Sequence, residues 1–377
     1  MTGLRKSVIG AVYPLASGAA QFNGAMVRAM AATSPVDVIS WRRMYPPVLY
    51  RGQGRDTSSA GESRVDASFI LDWHDPWTWR RALGRVEAFR ADAMVMPWLH
   101  PVMAPPYRSM LRGAPDGTVR VVICHNVVPH DKTPALGPLT RTALRHADLL
   151  VTHAPHQRGE LDRLGLGSTP VLESFHPRFD AAALASTPSP EARAEERHRQ
   201  GDPDLLLLMF GAIRPYKGVD LALEALTRVR GDLDVRLVIA GRAWGGADLH
   251  DEVRRHGLEP RVEIRDRFIP DDEAALLFAA ADASLLPYRS ASQSGVVQLS
   301  FAYGRPVVAT RVGGLPAAVR DGIDGILCEP DPADIALAIE RMADDHEALA
   351  ERTRADADAH SFRRYCELLD DAVLALS

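Results

Sequence analysis

The segment LLLLMFGAIRPYKG, Leu205 to Gly218, constrains the fold of this chain more than any other stretch. Its apolar run is too short for a membrane span and has the pattern of a strand buried on both faces. Gly211 ends that strand, Pro215 and Gly218 shape a loop, and Val219 to Val229 repeats apolar residues at helical spacing. A buried strand passing into an amphipathic helix implies a parallel sheet, with Arg214 and Lys217 on a loop at its carboxyl edge, where open α/β sheets bind ligands. Two fixed cations beside a helix N-terminus suit a diphosphate. Taken singly, each would pass for a solvated surface charge. The chain, however, has only three lysines, Lys6, Lys132 and Lys217, against 41 arginines. A lysine in this loop is a selective placement.

At 377 residues the chain is long enough for two domains. No apolar run approaches the roughly 18 residues of a membrane span. The N-terminus has a basic pair and a short apolar run leading into Pro14, which predicts a first strand and no signal peptide. Cys124, Cys328 and Cys366 are odd in number and far apart, which speaks against a disulfide framework or a zinc site and fits a reducing cytoplasm. Net charge is −5, unevenly spread: residues 1–176 hold 20 basic against 14 acidic side chains, and residues 177–377 hold 24 against 35. A mildly basic first half suits an anionic acceptor or peripheral contact with an anionic membrane, and equally suits solvated faces of unequal sign. It is no nucleic-acid footprint, since the whole is acidic and lacks a basic-aromatic recognition motif.

Along the first half, strands are expected at Lys6–Pro14, Val36–Trp41, Phe69–Leu71, Met94–Met96, Val119–Cys124, Leu149–Val151 and Val171–Glu173. Helices are expected from about Gln21, over Pro76–Phe89, Pro138–Arg145 and His156–Leu164. Ser17, Gly18 and Ala19 form a small-residue turn that lets a ligand approach a helix N-terminus. Residues 42–68 form a long irregular segment mixing apolar residues with arginines, of a kind that is functional or simply mobile. His125 and Asn126, in CHNVVPH, leave a strand at its carboxyl end. There His125 can bond a sugar hydroxyl or act as acid or base, or be a buried histidine satisfied by backbone carbonyls. Residues 180–203 turn rich in Ala, Pro, Ser and charge and read as a linker.

The second half repeats the alternation: after the helix at 219–229 come strands at Arg236–Ala240, Val262–Ile264, Ser284–Leu286, Val307–Thr310 and Ile326–Cys328, with helices between them. A polar turn, Ser290 to Ser294, opens a helix at about Gly295, leaving the backbone N–H groups of Ser294 to Val297 free for anionic oxygens. Helices at about Pro332–Met342 and from His346 onward close the chain.

From Leu205 to about Ala343 the second half resembles the nucleotide-sugar-binding domain of the retaining glycosyltransferases of family 4, which have the GT-B fold. FGAIRPYKG, LVIAG, RFIPDDEAALLFAAADASLLPY and SGVVQLSFAYGRPVVATRVGGLPAAVRDGIDG carry the likeness, in order and with matching spacing. The first half resembles the family more loosely, through the turn at Ser17 to Ala19, DWHDPWTW and CHNVVPH. The resemblance implies two Rossmann-like, doubly wound α/β domains facing across a cleft. Their expected bounds are residues 1–179 for the acceptor and 204–345 for the nucleotide sugar, with a helical segment 346–377 crossing back to the first. It implies transfer of a sugar from a nucleoside-diphosphate sugar to an acceptor hydroxyl, with retention, no catalytic metal and no cofactor beyond the donor substrate. Arg214 and Lys217 match the residues that neutralise the leaving diphosphate, and Ser294, Gly295, Val296 and Val297 match the turn that holds the distal phosphate and sugar. Phe268 and Ile269 lie where the family holds the base, and His125 matches a histidine on the acceptor side, next to Asn126. Gly18 belongs to the small-residue turn on the donor side.

Two departures stand out. Ala212 follows the loop glycine where the family places an arginine, which here comes two places later at 214. The family's pair of glutamates is missing: no acidic residue occurs between Asp282 and Asp321, and Ser292, Gln293 and Gln298 to Ser300 lie near those positions. A neutral Gln298 can still bond sugar or ribose hydroxyls. Two further functions share this plan, a non-hydrolysing sugar-nucleotide epimerase and a catalytically silent sugar-nucleotide-binding partner.

Overall fold

The computed structural model describes residues 3–15, 18–44, 65–127, 136–179, 187–244, 248–291 and 294–377. Ser17, Ser292, Gln293, the end of CHNVVPH and most of the irregular segment 42–68 lie outside them. The chain divides into two compact units, one of residues 1–177 with 362–377 and one of residues 178–361.

The first unit holds a seven-stranded sheet of β1 (Lys6–Ile9), β2 (Val36–Arg43), β3 (Ser68–Asp72), β4 (Ala93–Trp98), β5 (Val119–Cys124), β6 (Leu149–Thr152) and β7 (Val171–Glu173), in the order β3-β2-β1-β4-β5-β6-β7. Every pairing is parallel. Its strands are apolar on both faces because helices cover both, as a parallel sheet requires. β1 is shorter than expected: it stops at Ile9, and the chain turns where Asn23 donates to the Ala11 carbonyl at 2.7 Å. Helix Pro76–Phe89 begins and ends as its sequence predicts. Asp75 accepts from the Trp77 amide at 3.0 Å, and Pro76 occupies the first turn, where a missing N–H costs nothing. Helix Ala104–Arg112 was not expected. Its Pro105 and Pro106 look like breakers yet sit in the first turn, which proline tolerates.

The second unit holds β8 (Leu205–Phe210), β9 (Val235–Ala240), β10 (Val262–Arg265), β11 (Ala283–Leu286), β12 (Val307–Thr310) and β13 (Gly325–Cys328), all parallel, in the order β10-β9-β8-β11-β12-β13. Both sheets are doubly wound, with the order reversing at β1/β4 and at β8/β11. At such a reversal the crossovers leave to opposite faces of the sheet, which places a ligand crevice at the carboxyl ends of its strands.

Two boundaries differ from those expected. The linker does not run to residue 203, because Pro190–Arg199 is a helix packed on helix Asp271–Ala280 of the second unit. Glu196 is buried there between Arg265, at 2.5 Å, and Arg199, at 2.6 Å. Nor does the chain return to the first unit at residue 346. Pro332–Ala355 is one helix of the second unit, since Ile335, Ile339, Met342, Leu349 and Thr353 keep one face buried across the polar stretch 343–346. The return comes with helix Phe362–Leu374, which packs on helix Gly18–Ala31. Its Asp370 accepts from Lys6 at 2.8 Å, at the start of β1, and Cys366 lies against the Met26 carbonyl. Among the described residues no helix is long and apolar enough to cross a membrane.

Candidate functional site

In the second unit the loops leaving β8 and β11 meet at the reversal of strand order. Gly218 opens helix Val219–Arg228 in the left-handed region, at φ 68°, and a Cβ there would lie 2.1 Å from the Pro287 carbonyl oxygen. Only glycine permits that backbone and that approach. The closeness brings Lys217 beside helix Gly295–Ala302: a Cβ on Gly211 would meet Lys217 Nζ at 3.2 Å and Val296 at 4.0 Å. Gly314, in the turn after β12, donates to the Ala291 carbonyl at 3.0 Å.

Lys217 is only 6% exposed. Its ammonium donates to the Phe210 carbonyl at 2.6 Å and lies 5.6 Å from the Tyr288 ring. Burial, with Arg214 adding repulsion, pulls its pKa down to about 8. The amine is still mostly protonated at neutral pH, and a bound anion would hold the proton more firmly. Arg214 is exposed, and among the described residues neither cation pairs with a carboxylate. The one acid in the adjoining helical turn, Asp220, is taken by both terminal nitrogens of Arg289 at 2.6 and 2.9 Å. The loop therefore keeps two positive charges that no described carboxylate compensates.

Ser294 precedes helix Gly295–Ala302 without capping it, so the amides of the first turn lack a side-chain acceptor. Among the described residues, leaving aside its chain neighbours and its own helix backbone, no atom lies within 4 Å of where a Gly295 Cβ would stand. Val297 turns its side chain into the core while its amide remains in the first turn. Gln298 is buried, and its Oε1 has no hydrogen-bond partner among the described residues. A buried amide oxygen without a donor is costly and suits a site completed by a ligand. The structure thus brings together Arg214, Lys217, Ser294, Gly295, Val296, Val297 and Gln298. Phe268 and Ile269 differ from each other: Phe268 is 62% exposed beyond β10, whereas Ile269 is buried with Leu206 and Phe278 in a cluster that Val296 also packs against.

In the first unit Gly18 opens helix Gly18–Ala31, and among the described residues outside its own helix and neighbours nothing lies within 4 Å of where its Cβ would stand. His125 and Asn126 leave β5, which is not one of the two strands at the reversal. Phe22, one turn into that helix, packs on His125 with ring centroids 4.6 Å apart. Sequence reasoning missed the company His125 keeps. His153, after β6, and His176, after β7, form a chain of rings with it at 5.7 and 5.5 Å. Gln157 fixes the loops, donating to the Cys124 and His125 carbonyls and accepting from the His153 and Ala154 amides. His153 Nε2 meets the Tyr365 hydroxyl at 3.0 Å. His125 Nε2, Asn126 Oδ1 and His153 Nδ1 have no hydrogen-bond partner among the described residues. Only the regular placement of histidines after successive strand ends hinted at this cluster. The DWHDPWTW segment instead closes on itself. Buried Asp72 accepts from Arg43 and from His74, each at 2.5 Å, and its carbonyl accepts from the Trp79 indole at 2.8 Å. Among the described residues no group of His, Cys, Asp or Glu is arranged as metal ligands would be.

Burial, with repulsion from His176, pushes His125 down to about 3, and burial pushes His176 to about 4. His153 is likewise held well below its ordinary value, by burial and then by its two neighbours. Unfolded histidines titrate near 6.5, so below that pH the unfolded chain takes up protons that the folded cluster refuses. Stability is complete above that value and is lost as pH falls through it. Acidification from about pH 7 to about pH 5 should cost the first unit about 2 kcal/mol for each of His125 and His176, with His153 acting in the same direction. Thermal midpoints at the two pH values should diverge less in His153→Phe than in the natural chain. Equal divergence would exclude the cluster as the source.

Residues 204–345 match the family of glycosyl transferases group 1. The chain is 36% identical over 202 residues to a D-inositol 3-phosphate glycosyltransferase of Geodermatophilus obscurus, a match covering 50% of this chain and 44% of that protein. It is 33% identical over 212 residues to the protein of the same name from Thermobifida fusca, covering 52% and 47%. The matched stretch is thus about half the length of these curated relatives. Among solved structures, Anabaena Alr3699/HepE in complex with UDP is similar over 98% of this chain and 100% of its own, with a TM-score of 0.71 at 16% identity. Sucrose-phosphate synthase from Thermosynechococcus elongatus is similar over 99% and 100%, with a TM-score of 0.70 at 16% identity. The chain therefore has the GT-B fold. The match to the group 1 glycosyl transferases, residues 204–345, falls within the second unit.

Proposed function

We propose that this protein is a retaining glycosyltransferase of family 4, moving a sugar from a nucleoside-diphosphate sugar to an acceptor hydroxyl. The observation that carries the reading is the pair Arg214 and Lys217, unneutralised by any described carboxylate, beside the open amides of helix Gly295–Ala302. The bond from the sugar's anomeric carbon to the phosphate oxygen breaks with its electron pair going to the diphosphate, where charge grows. The acceptor oxygen bonds to the same face of that carbon, and its proton passes to the departing phosphate oxygen. Fixed cations favour this step because they gain most when the charge is greatest. They take the place a metal would have, so the proposed reaction needs neither metal nor cofactor. Support also comes from the group 1 match and from the Anabaena neighbour, solved with UDP and with UDP-glucose. The relatives, matched over about half their length, make a small phosphorylated or hydroxylated acceptor one candidate, alongside lipid-linked intermediates and glycans. The reaction belongs on the cytoplasmic side, with contact to an anionic membrane face as one way to reach a lipid-linked acceptor.

The absence of a carboxylate between Asp282 and Asp321 favours one second reading, a protein that binds the sugar nucleotide without reacting it. A thermal-shift screen over nucleoside diphosphates and their sugars finds the donor, because a ligand of the folded state raises its midpoint. Incubation with that donor then separates the readings. Slow release of free sugar and nucleoside diphosphate is expected of the transferase. Binding with neither release nor transfer to any acceptor points to the silent partner, and interconversion of the donor without an acceptor points to an epimerase.

A further inference from the structure

We propose that Trp244 is a positioning residue that holds the Arg214 guanidinium over the phosphate loop through its ring face. This rests on the diphosphate reading above. Arg214 is exposed and follows its loop glycine two places later than the family pattern, so its long side chain needs something to orient it. A carboxylate would do so at the cost of the positive charge an anion requires. An aromatic face attracts the cation through its quadrupole and leaves the charge in place. The Arg214 guanidinium lies 5.6 Å from the Trp244 ring centroid, within the range of that attraction.

The ring is where it is because two loops are stitched together. The Ile213 amide donates to the Arg242 carbonyl at 2.9 Å, and the Trp244 amide donates to the Ile213 carbonyl at 2.8 Å. Asp266 accepts from the Ala243 amide at 2.7 Å, fixing the same loop from the β10 side. Trp244 is nevertheless 50% exposed, so core packing does not account for so large an apolar side chain on a polar loop. The same device recurs at the second cation, where Lys217 lies 5.6 Å from the Tyr288 ring. Both cations of the loop are thus met by aromatic faces.

The test is a double-mutant cycle on the full chain, with inorganic pyrophosphate as the calorimetric probe. Trp244→Leu should weaken pyrophosphate binding by about fivefold, and Trp244→Phe, which keeps a ring face, should restore most of it. In an Arg214→Ala background, Trp244→Leu should have no further effect. An equal loss in both backgrounds, no loss in either, or a phenylalanine variant no better than leucine would each overturn the proposal. If the natural chain itself fails to bind pyrophosphate, the phosphate-loop reading falls and this proposal with it. Additive losses on a chain that does bind sink the role of Trp244 alone.

Discussion

Lys217→Ala should lower kcat by about two to three orders of magnitude while weakening nucleoside-diphosphate binding far less. The ammonium is buried, anchored on the Phe210 carbonyl, and beside the amides that would receive the distal phosphate. Its attraction for the diphosphate increases as the sugar departs, so its loss falls on the transition state more than on the bound ground state. Arginine should not substitute for it. Gly211 and Val296 close around the position, and a planar guanidinium needs more room than an ammonium. Since its pKa is pulled down to about 8 by burial, the free protein should lose kcat/KM as pH rises through that value and the cation is lost. Single-turnover kinetics with the donor found by thermal shift measure the effect. An alanine variant with unchanged turnover would remove the loop from the reacting phosphate.

Asp324→Ala should destabilise the second unit by about 3–5 kcal/mol, lowering its unfolding midpoint by roughly 10 °C. Asp324 is fully buried and accepts from the Arg178 guanidinium at 2.9 Å, the Arg320 guanidinium at 2.8 Å and the Arg320 amide at 2.7 Å. Burial pulls the Arg178 pKa down, and Asp324 with Asp356 supports its charge. Without Asp324 a buried guanidinium is left with Asp356 at 3.4 Å and the Thr353 carbonyl. The consequence reaches the site, because Arg178 also lies 4.3 Å from the Phe301 ring, at the far end of the helix that begins at Gly295. Donor affinity should therefore fall along with stability. Asp324→Asn, which keeps an acceptor but not the charge, should fall between the two. Calorimetric unfolding of the three proteins checks this, and an alanine variant as stable as the parent would contradict it.

Local pattern carried most of the secondary structure. Helix Pro76–Phe89 and strands Val119–Cys124, Val171–Glu173 and Val307–Thr310 have the bounds expected of them, because their caps, prolines and apolar runs are written within a few residues. Helix Ala104–Arg112 was illegible because two prolines mark a break and a first turn alike. The continuity of Pro332–Ala355 was hidden because a polar stretch says nothing of the apolar face that resumes at Leu349. At the candidate site, the loop cations and the helix opening at Gly295 were legible from residue type and spacing. The orphaned Gln298 oxygen, the Trp244 face beside Arg214 and the burial of Ile269 were not, since each depends on which way a side chain points in the packed unit.

By itself the sequence determined that the chain would build parallel sheets, and that a scarce lysine and an arginine would stand on a loop at the carboxyl edge of one. Both follow from local spacing, which sets how each short segment buries its apolar side. The tertiary structure alone decided the order of the strands, and with it the meeting of the β8 and β11 loops at Gly218 and Pro287. It alone decided that Lys6 would be held by Asp370, 364 residues away, and that three histidines would share one cluster. Those contacts join residues far apart in the chain, and they form only where the packing of whole elements brings their side chains within bonding distance.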